Sequence, residues 1–309
     1  MAYGLWLTAT HEREAIAKSC IATAIDAGVT FFDAADVYEA GFAEELLGHV
    51  LRHHERDAFV VATKVFGRMG PRDEDRGLSR AHIRESCDAS LRRLGTDYID
   101  LYQMHGYDRA TPLVETLTTF GELLAAGKIR YAGVCNWSAQ QLKEARELAV
   151  REGLPSICAN QVQTSLLWRE HRRTEEAARG LGMGQIAWSP LAQGVLSGKY
   201  ERVSSLPPGT RATTAGPSEM RYLARFLQPK VLRDVKALAP IANDLGISSA
   251  QLAVAWALAQ PTIASAIVGG SEKVQILEIA AAAELVLPAG IVSALESTLP
   301  DLWRCRADG

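Results

Sequence analysis

Four side chains in the first 105 residues could do proton chemistry together. They are Asp33 and Tyr38 in "FFDAADVY", Lys64 closing "VVATK", and His105 closing "IDLYQMH". A tyrosine is a poor acid near neutrality, with a reference pKa of about 10. An ammonium about 4 Å away, at an effective dielectric of about 20, favours the phenolate by about 4 kcal/mol, or about three pH units. Asp33 can keep Lys64 charged and in place, and His105 can donate a hydrogen bond to the oxygen that Tyr38 protonates. Such a set suits general-acid protonation of an oxyanion developing on a carbonyl carbon under attack. The four residues supply no nucleophile, and a hydride from a bound cofactor would fill that gap. Schiff-base chemistry on Lys64 is a rival, but it needs a partly neutral amine and Asp33 works against that.

Each of the four has an ordinary reading when taken singly: Asp33 as a helix N-cap, Tyr38 as a packed loop aromatic, Lys64 as a solvated strand-end charge, His105 as a satisfied core histidine. Their joint placement at successive strand ends favours chemistry. Asp36, His49, His53, His54, His82 and His171 keep the ordinary reading. "HVLRHHER" reads as a polar helix end, because no ligand set for a metal converges on it.

The elements that must position these residues alternate along the chain. Buried-looking β-rich runs are Tyr3–Leu7, Thr30–Asp33, Phe59–Lys64, Ile99–His105, Tyr131–Asn136, Ala159–Gln163, Gln185–Ser189 and Ser265–Val268. Between them lie helix-period segments with readable ends. Ser79 caps "SRAHIRESCDASLRRLG", whose Ile83, Cys87, Leu91 and Leu94 form one stripe before Gly95. Ser138 and Gln141 make a capping box for "SAQQLKEARELAVREG". Eight alternations predict an α/β fold, a single-domain (β/α)8 TIM barrel over residues 1–309, with its site at the C-terminal strand ends. The segment Glu201–Met220, rich in Pro, Gly, Ser and Thr, is predicted to be a long functional loop.

Composition bounds the function. With 309 residues, 48% hydrophobic and 22% charged, the chain can bury a sizeable core. A net charge of −3 gives no broad basic field for nucleic acid or anionic lipid. Five cysteines (Cys20, Cys87, Cys135, Cys158 and Cys305) lack C-x-x-C spacing and read as thiols of a reducing compartment. "MAYGLWLTATHERE" meets acidic residues too early for a signal peptide. The apolar stretch Ile247–Gly270 is interrupted by Gln251, Gln260 and Pro261, too soon for a membrane span. A cytoplasmic location is expected, with no nucleic-acid or membrane partner.

Taken together, "FFDAADVY", "VVATKV", "IDLYQMH", "GVCNWS", "ANQVQ" and "WSPLAQGVLSGKY" resemble, in order, the motifs of the aldo-keto reductases over nearly the whole chain. "RGLSRAHI" and "WSPLAQG" are similar to the branch that includes bacterial reductases and the β subunits of voltage-gated potassium channels. The resemblance implies Tyr38 as proton donor supported by Asp33, Lys64 and His105. It implies a nicotinamide ring stacked on Trp188 and a carboxamide held by Asn136 and Gln161. Ser189, Leu191, Gln193 and Lys199 would line the pyrophosphate and ribose path, with Trp6, Pro190 and Gly269 as further cofactor contacts. Arg211 would close over the cofactor, and Ser271, Gln275 and Glu278 would meet the adenosine side. NADP(H) is the expected cofactor and NAD(H) the second choice. Glu272 stands where many relatives carry a base, but Lys199, Arg211 and Lys273 can offset it. Ile279 replaces a usual asparagine and Cys135 a frequent serine. The family's N-terminal hairpin has no counterpart ahead of Tyr3, which raises a homo-oligomer covering that end as an expectation. The implied substrate is a small aldehyde or ketone, in a pocket to which Trp6, Phe66 and Tyr107 contribute. A redox-sensing, cofactor-binding regulatory subunit with little turnover is the alternative.

Overall fold

The computed structural model describes residues 11–302. The expected strand Tyr3–Leu7, Trp6 and Cys305 lie outside the described residues. The strands are β1 (Phe31–Asp33), β2 (Val60–Val65), β3 (Ile99–Met104), β4 (Ile129–Cys135), β5 (Ile157–Ser165), β6 (Trp168–Arg169), β7 (Gly184–Trp188) and β8 (Ile263–Ile267). The sheet order is β1-β2-β3-β4-β5-β7-β8, with β6 paired to β5. A sheet that follows chain order, with helical crossovers between parallel strands, is the (β/α)8 barrel class.

The chain forms two compact units. Of the described residues, the first comprises 11–162, 173–185 and 269–273. In it β1 to β4 and most of β5 pair in parallel; α1 (His11–Asp26) precedes β1, and α2 (Phe42–Leu51), α3 (Arg80–Leu94), α4 (Leu113–Ala125) and α5 (Ala139–Glu152) separate the strands. Both anticipated caps are present. Ser79 accepts the His82 amide and Gly95 closes α3 with φ +65°, while Ser138 and Gln141 exchange both bonds of the capping box on α5. The stripe of α3 is buried at Ile83, Cys87 and Leu94.

Register places the polar strand residues on one face. Asp33 pairs with Ala62, Lys64 with Gln103, Gln103 with Gly133, and Cys135 with Gln161. Side chains alternate faces with a period of two, so these positions share a face and a one-residue slip would scatter them. Gly133 makes room for the set. A Cβ there would lie 3.1 Å from Cγ of Gln103 and 3.0 Å from Leu101.

Of the described residues, the second unit comprises 163–172, 186–268 and 274–302. Its core gathers Leu166, Trp168, Val195, Leu196, Leu223, Phe226, Leu232, Leu252 and Trp256. Here β5 turns back antiparallel on β6, pairing Thr164 with Arg169 and Ser165 with Trp168. Arg169 donates to the carbonyls of Glu296 and Leu299, which satisfies the end of the helix Ala289–Thr298. The segment 201–220 is less irregular than the sequence suggests. It holds the short helix Arg211–Thr214 and the start of Pro217–Leu223. Pro217 begins the latter, where its fixed φ and missing N–H suit a first turn.

Candidate functional site

In the first unit, β1 ends at Asp33 and the chain bends along β2, the Ala34 amide bonding to the Ala62 carbonyl and the Asp36 amide to that of Lys64. That path brings Tyr38 back over Lys64. Lys64 Nζ lies 2.5 Å from Asp33 Oδ2, 2.7 Å from the Ala34 carbonyl and 3.3 Å from the Tyr38 hydroxyl. The ammonium also sits 4.7 Å from the centre of the Tyr38 ring. Lys64 is fully buried and Asp33 nearly so. Asp33 is locked from the far side, its Oδ1 accepting from Gln103 Nε2 at 3.0 Å and Gln161 Nε2 at 2.9 Å. His105 packs its ring edge-on to Tyr38 at 5.7 Å.

The charges follow from burial against pairing. Burial opposes the Lys64 charge, but Asp33 and the groups beside it outweigh that and hold the ammonium above its ordinary pKa. Burial pushes the Tyr38 phenol up, and Lys64 draws it only part of the way back. The expectation that Lys64 would make this phenol more acidic than usual is therefore corrected: removal from water is the larger effect. Burial, with Lys64 adding, lowers His105 to about 3, so its imidazole is neutral at ordinary pH. Cys135, 3.9 Å from Gln103 Oε1, is a buried thiol lifted by burial to about 12. It is inert at neutral pH, and among the described residues Cys20, Cys87 and Cys158 are likewise in no disulfide.

Beside this cluster, Phe66 rests against Gly106, where a Cβ would meet its ring at 3.1 Å. Tyr107 stands edge-on to Trp137 at 4.9 Å. Asn136, just past β4, is exposed with φ +56° and is anchored by its amide to the Gln161 carbonyl.

In the second unit, β7 ends at Trp188 and opens into a turn with left-handed backbone at Ser189, Ala192 and Gln193. Gln193 donates to Ser189 Oγ from its amide at 3.1 Å and its side chain at 2.8 Å. Arg211 in turn donates to Gln193 Oε1. Lys199 comes down on Gly194, where a Cβ would lie 3.1 Å from its ammonium. Pro190 lies in the turn, and Leu191 packs into the unit's apolar core. Two cations around a glycine-cleared turn, with a hydroxyl and a carboxamide alongside, fit a diphosphate. Trp188 carries Tyr222 edge-on at 6.2 Å.

Gln275 and Glu278 are half-buried on the helix Lys273–Ala280. In the first unit, Gly269 and the exposed Ser271 lie in the segment after β8. Of the candidates from sequence, the structure joins Asp33, Tyr38, Lys64, His105 and Gln161 in one unit and Ser189, Gln193 and Arg211 in the other. Two residues were missed. Gln103, buried within "LYQM", gave no boundary signal, although its spacing of two from His105 puts it on the same face. Asp36, read as ordinary, is fully buried.

Comparison with known proteins agrees with this arrangement of motifs. The family model described as "Aldo/keto reductase family" matches residues 1–299. The "Probable voltage-gated potassium channel subunit beta" of Oryza sativa subsp. japonica is 38% identical over 284 residues, covering 90% of this chain and 85% of that protein. Its namesake in Arabidopsis thaliana is 38% identical over 283 residues, with the same coverage. A "Putative voltage-gated potassium channel subunit beta" of Schizosaccharomyces pombe is 34% identical over 290 residues, 92% of this chain and 84% of that protein. With a match this long, and relatives this similar over most of both lengths, the chain belongs to the aldo/keto reductase family.

Proposed function

We propose that this chain reduces an aldehyde or ketone to an alcohol, with Tyr38 as the general acid. The observation that supports this most is the chain Asp33–Lys64–Tyr38, buried at Asp33 and Lys64 and half-buried at Tyr38, with Lys64 Nζ 2.5 Å from the carboxylate and 3.3 Å from the phenol. A phenol that keeps its proton at neutral pH, beside a fixed ammonium, is an acid poised for one event. As negative charge develops on a carbonyl oxygen, the phenol's proton moves to it and Lys64 stabilises the phenolate left behind. Asp33 keeps Lys64 charged, and Gln103 and Gln161 keep Asp33 in place. His105, neutral, donates a hydrogen bond to the same oxygen. Phe66 and Tyr107 form an apolar wall for the substrate.

NADPH, the cofactor of this reading, supplies the hydride when bound. Within the second unit, Ser189, Gln193, Lys199 and Arg211 would hold its phosphates and Trp188 would offer a flat face to its ring. A cytoplasmic location suits this cofactor and the thiols.

The printed names of the three relatives favour a second reading, a cofactor-binding regulatory subunit with little turnover. A panel of carbonyl compounds assayed with NADPH and NADH in parallel separates the two. Sustained NADPH consumption with a reactive aromatic aldehyde supports the reductase. Consumption that stops at one equivalent per chain supports the regulatory subunit.

A further inference from the structure

The turn that carries Tyr38 is strained. Glu39 and Ala40 follow it with φ of +50° and +53°, and Gly41 with +98°. Left-handed backbone at two successive non-glycine residues persists only where surroundings enforce it. On the far side of the turn, Arg93 lies across Gly41, where a Cβ would be 2.6 Å from its Cδ. Arg93 is held by Glu44, Nε to Oε2 at 2.6 Å, and Glu44 also accepts from Thr63 Oγ1 at 2.6 Å. On the near side stands Asp36. Its amide bonds to the Lys64 carbonyl at 3.3 Å, and its Oδ1 accepts from the Val37 amide at 2.7 Å. Its Oδ2 is buried with no partner, as is the Tyr102 hydroxyl on β3.

Charge counting singles out Asp36. The groups around it are Lys64 on β2, Glu44 on α2 and Arg93 on α3, with the Tyr102 phenol and Cys87 thiol completing the buried set. Lys64 is paired with Asp33 and Arg93 with Glu44. The cluster has three buried carboxyls and two cations, and Asp36 is the one without a cation of its own.

We propose that Asp36 is a positioning residue for Tyr38: its buried carboxyl, one cation short and bonded to the Val37 amide, acts through Lys64 on the phenol that the strained turn sets against it. This rests on the reading of Tyr38 as proton donor. Burial, reinforced by Glu44, lifts the carboxyl to about 7 against the pull of the Val37 amide, Arg93 and Lys64. Asp36 therefore holds its proton in mildly acidic solution and loses it on passing neutrality. The negative charge then added behind Lys64 makes the phenol a weaker acid.

The test reads the phenol directly. Ultraviolet difference titration, protein minus its Tyr38→Phe counterpart, isolates Tyr38 in the parent and in Asp36→Asn. Removing the charge should let Tyr38 ionise about one pH unit lower. The parent's kcat for carbonyl reduction should fall several-fold as pH rises through neutrality, the Asn variant should stay flat, and KM for NADPH should be alike in both. An unchanged phenol titration overturns the proposal, whether or not turnover is seen. Absence of turnover in the parent, with the phenol shift intact, overturns the reductase reading and leaves Asp36 supported. Should Asp36→Asn fail to fold, infrared titration of the parent serves. A buried carboxyl that ionises near neutrality in step with the Tyr38 ring bands, identified against Tyr38→Phe, supports the proposal, and one that ionises with no response from Tyr38 overturns it.

Discussion

Burial and pairing act in opposite directions on each side chain of the Tyr38 cluster. Lys64 stays charged because Asp33 is 2.5 Å away. Removing one partner of a buried pair leaves the other uncompensated and costs about 3–5 kcal/mol. Asp33→Ala should therefore lower stability by that order, read from denaturant midpoints; a loss under about 1 kcal/mol would mean the pair behaves as a surface contact. His105 titrates at about 3 in the folded chain and at about 6.5 unfolded. Across that window the unfolded chain binds more protons, so stability falls as pH drops from about 6.5 towards 3. His105→Gln should remove part of that fall; an equal difference between parent and variant at pH 7 and about pH 4.5 would contradict it. Arg211→Ala should weaken NADPH more than NADH, and equal losses would mean that Arg211 does not read the extra phosphate. The quartet was legible because each member ends a strand or follows one closely. Asp36 was not, since a polar residue on a loop shows no spacing that separates buried from solvated, and Gln103 lies inside a buried run where only its spacing of two from His105 marks it.

Strands, helices and turns were legible to different degrees. Strands β1 to β5, β7 and β8 lie where apolar runs anticipated them, with ends moved by one or two residues, because a strand stops where its neighbour's hydrogen bonds stop. β6 was missed: two residues carry no period, and only its pairing with β5 makes it a strand. The helix Arg211–Thr214 and the start of Pro217–Leu223 are too short within 201–220 for a 3.6-residue repeat to register. Caps were the reliable signals, because their bonds are local. The Tyr38 turn was illegible, since Glu39 and Ala40 seldom take left-handed backbone. At Gly41 both its φ and the Arg93 contact need a missing Cβ. Gly41→Ala should cost about 1–3 kcal/mol and lower turnover beyond what the stability loss explains. A variant as stable and active as the parent would show that the turn relaxes freely.

The whole chain is mildly acidic, and among the described residues it has no helix long and apolar enough to cross a membrane and no metal-binding group. Membership in the aldo/keto reductase family agrees with the alternation read from sequence. The division into two compact units was not legible. Composition is even along the chain, and contacts between distant segments, which define such units, leave no mark in local pattern. Function at this level turns on whether the Tyr38 phenol in the first unit is used as an acid. The most direct measurement follows NADPH oxidation with a reactive aromatic aldehyde for the parent and Tyr38→Phe side by side, with NADPH affinity determined for both. The account expects many turnovers per chain from the parent, a loss of at least about 100-fold in the variant, and similar affinities. A variant that reduces the aldehyde at the parental rate, or a parent that stops after one turnover, would contradict it.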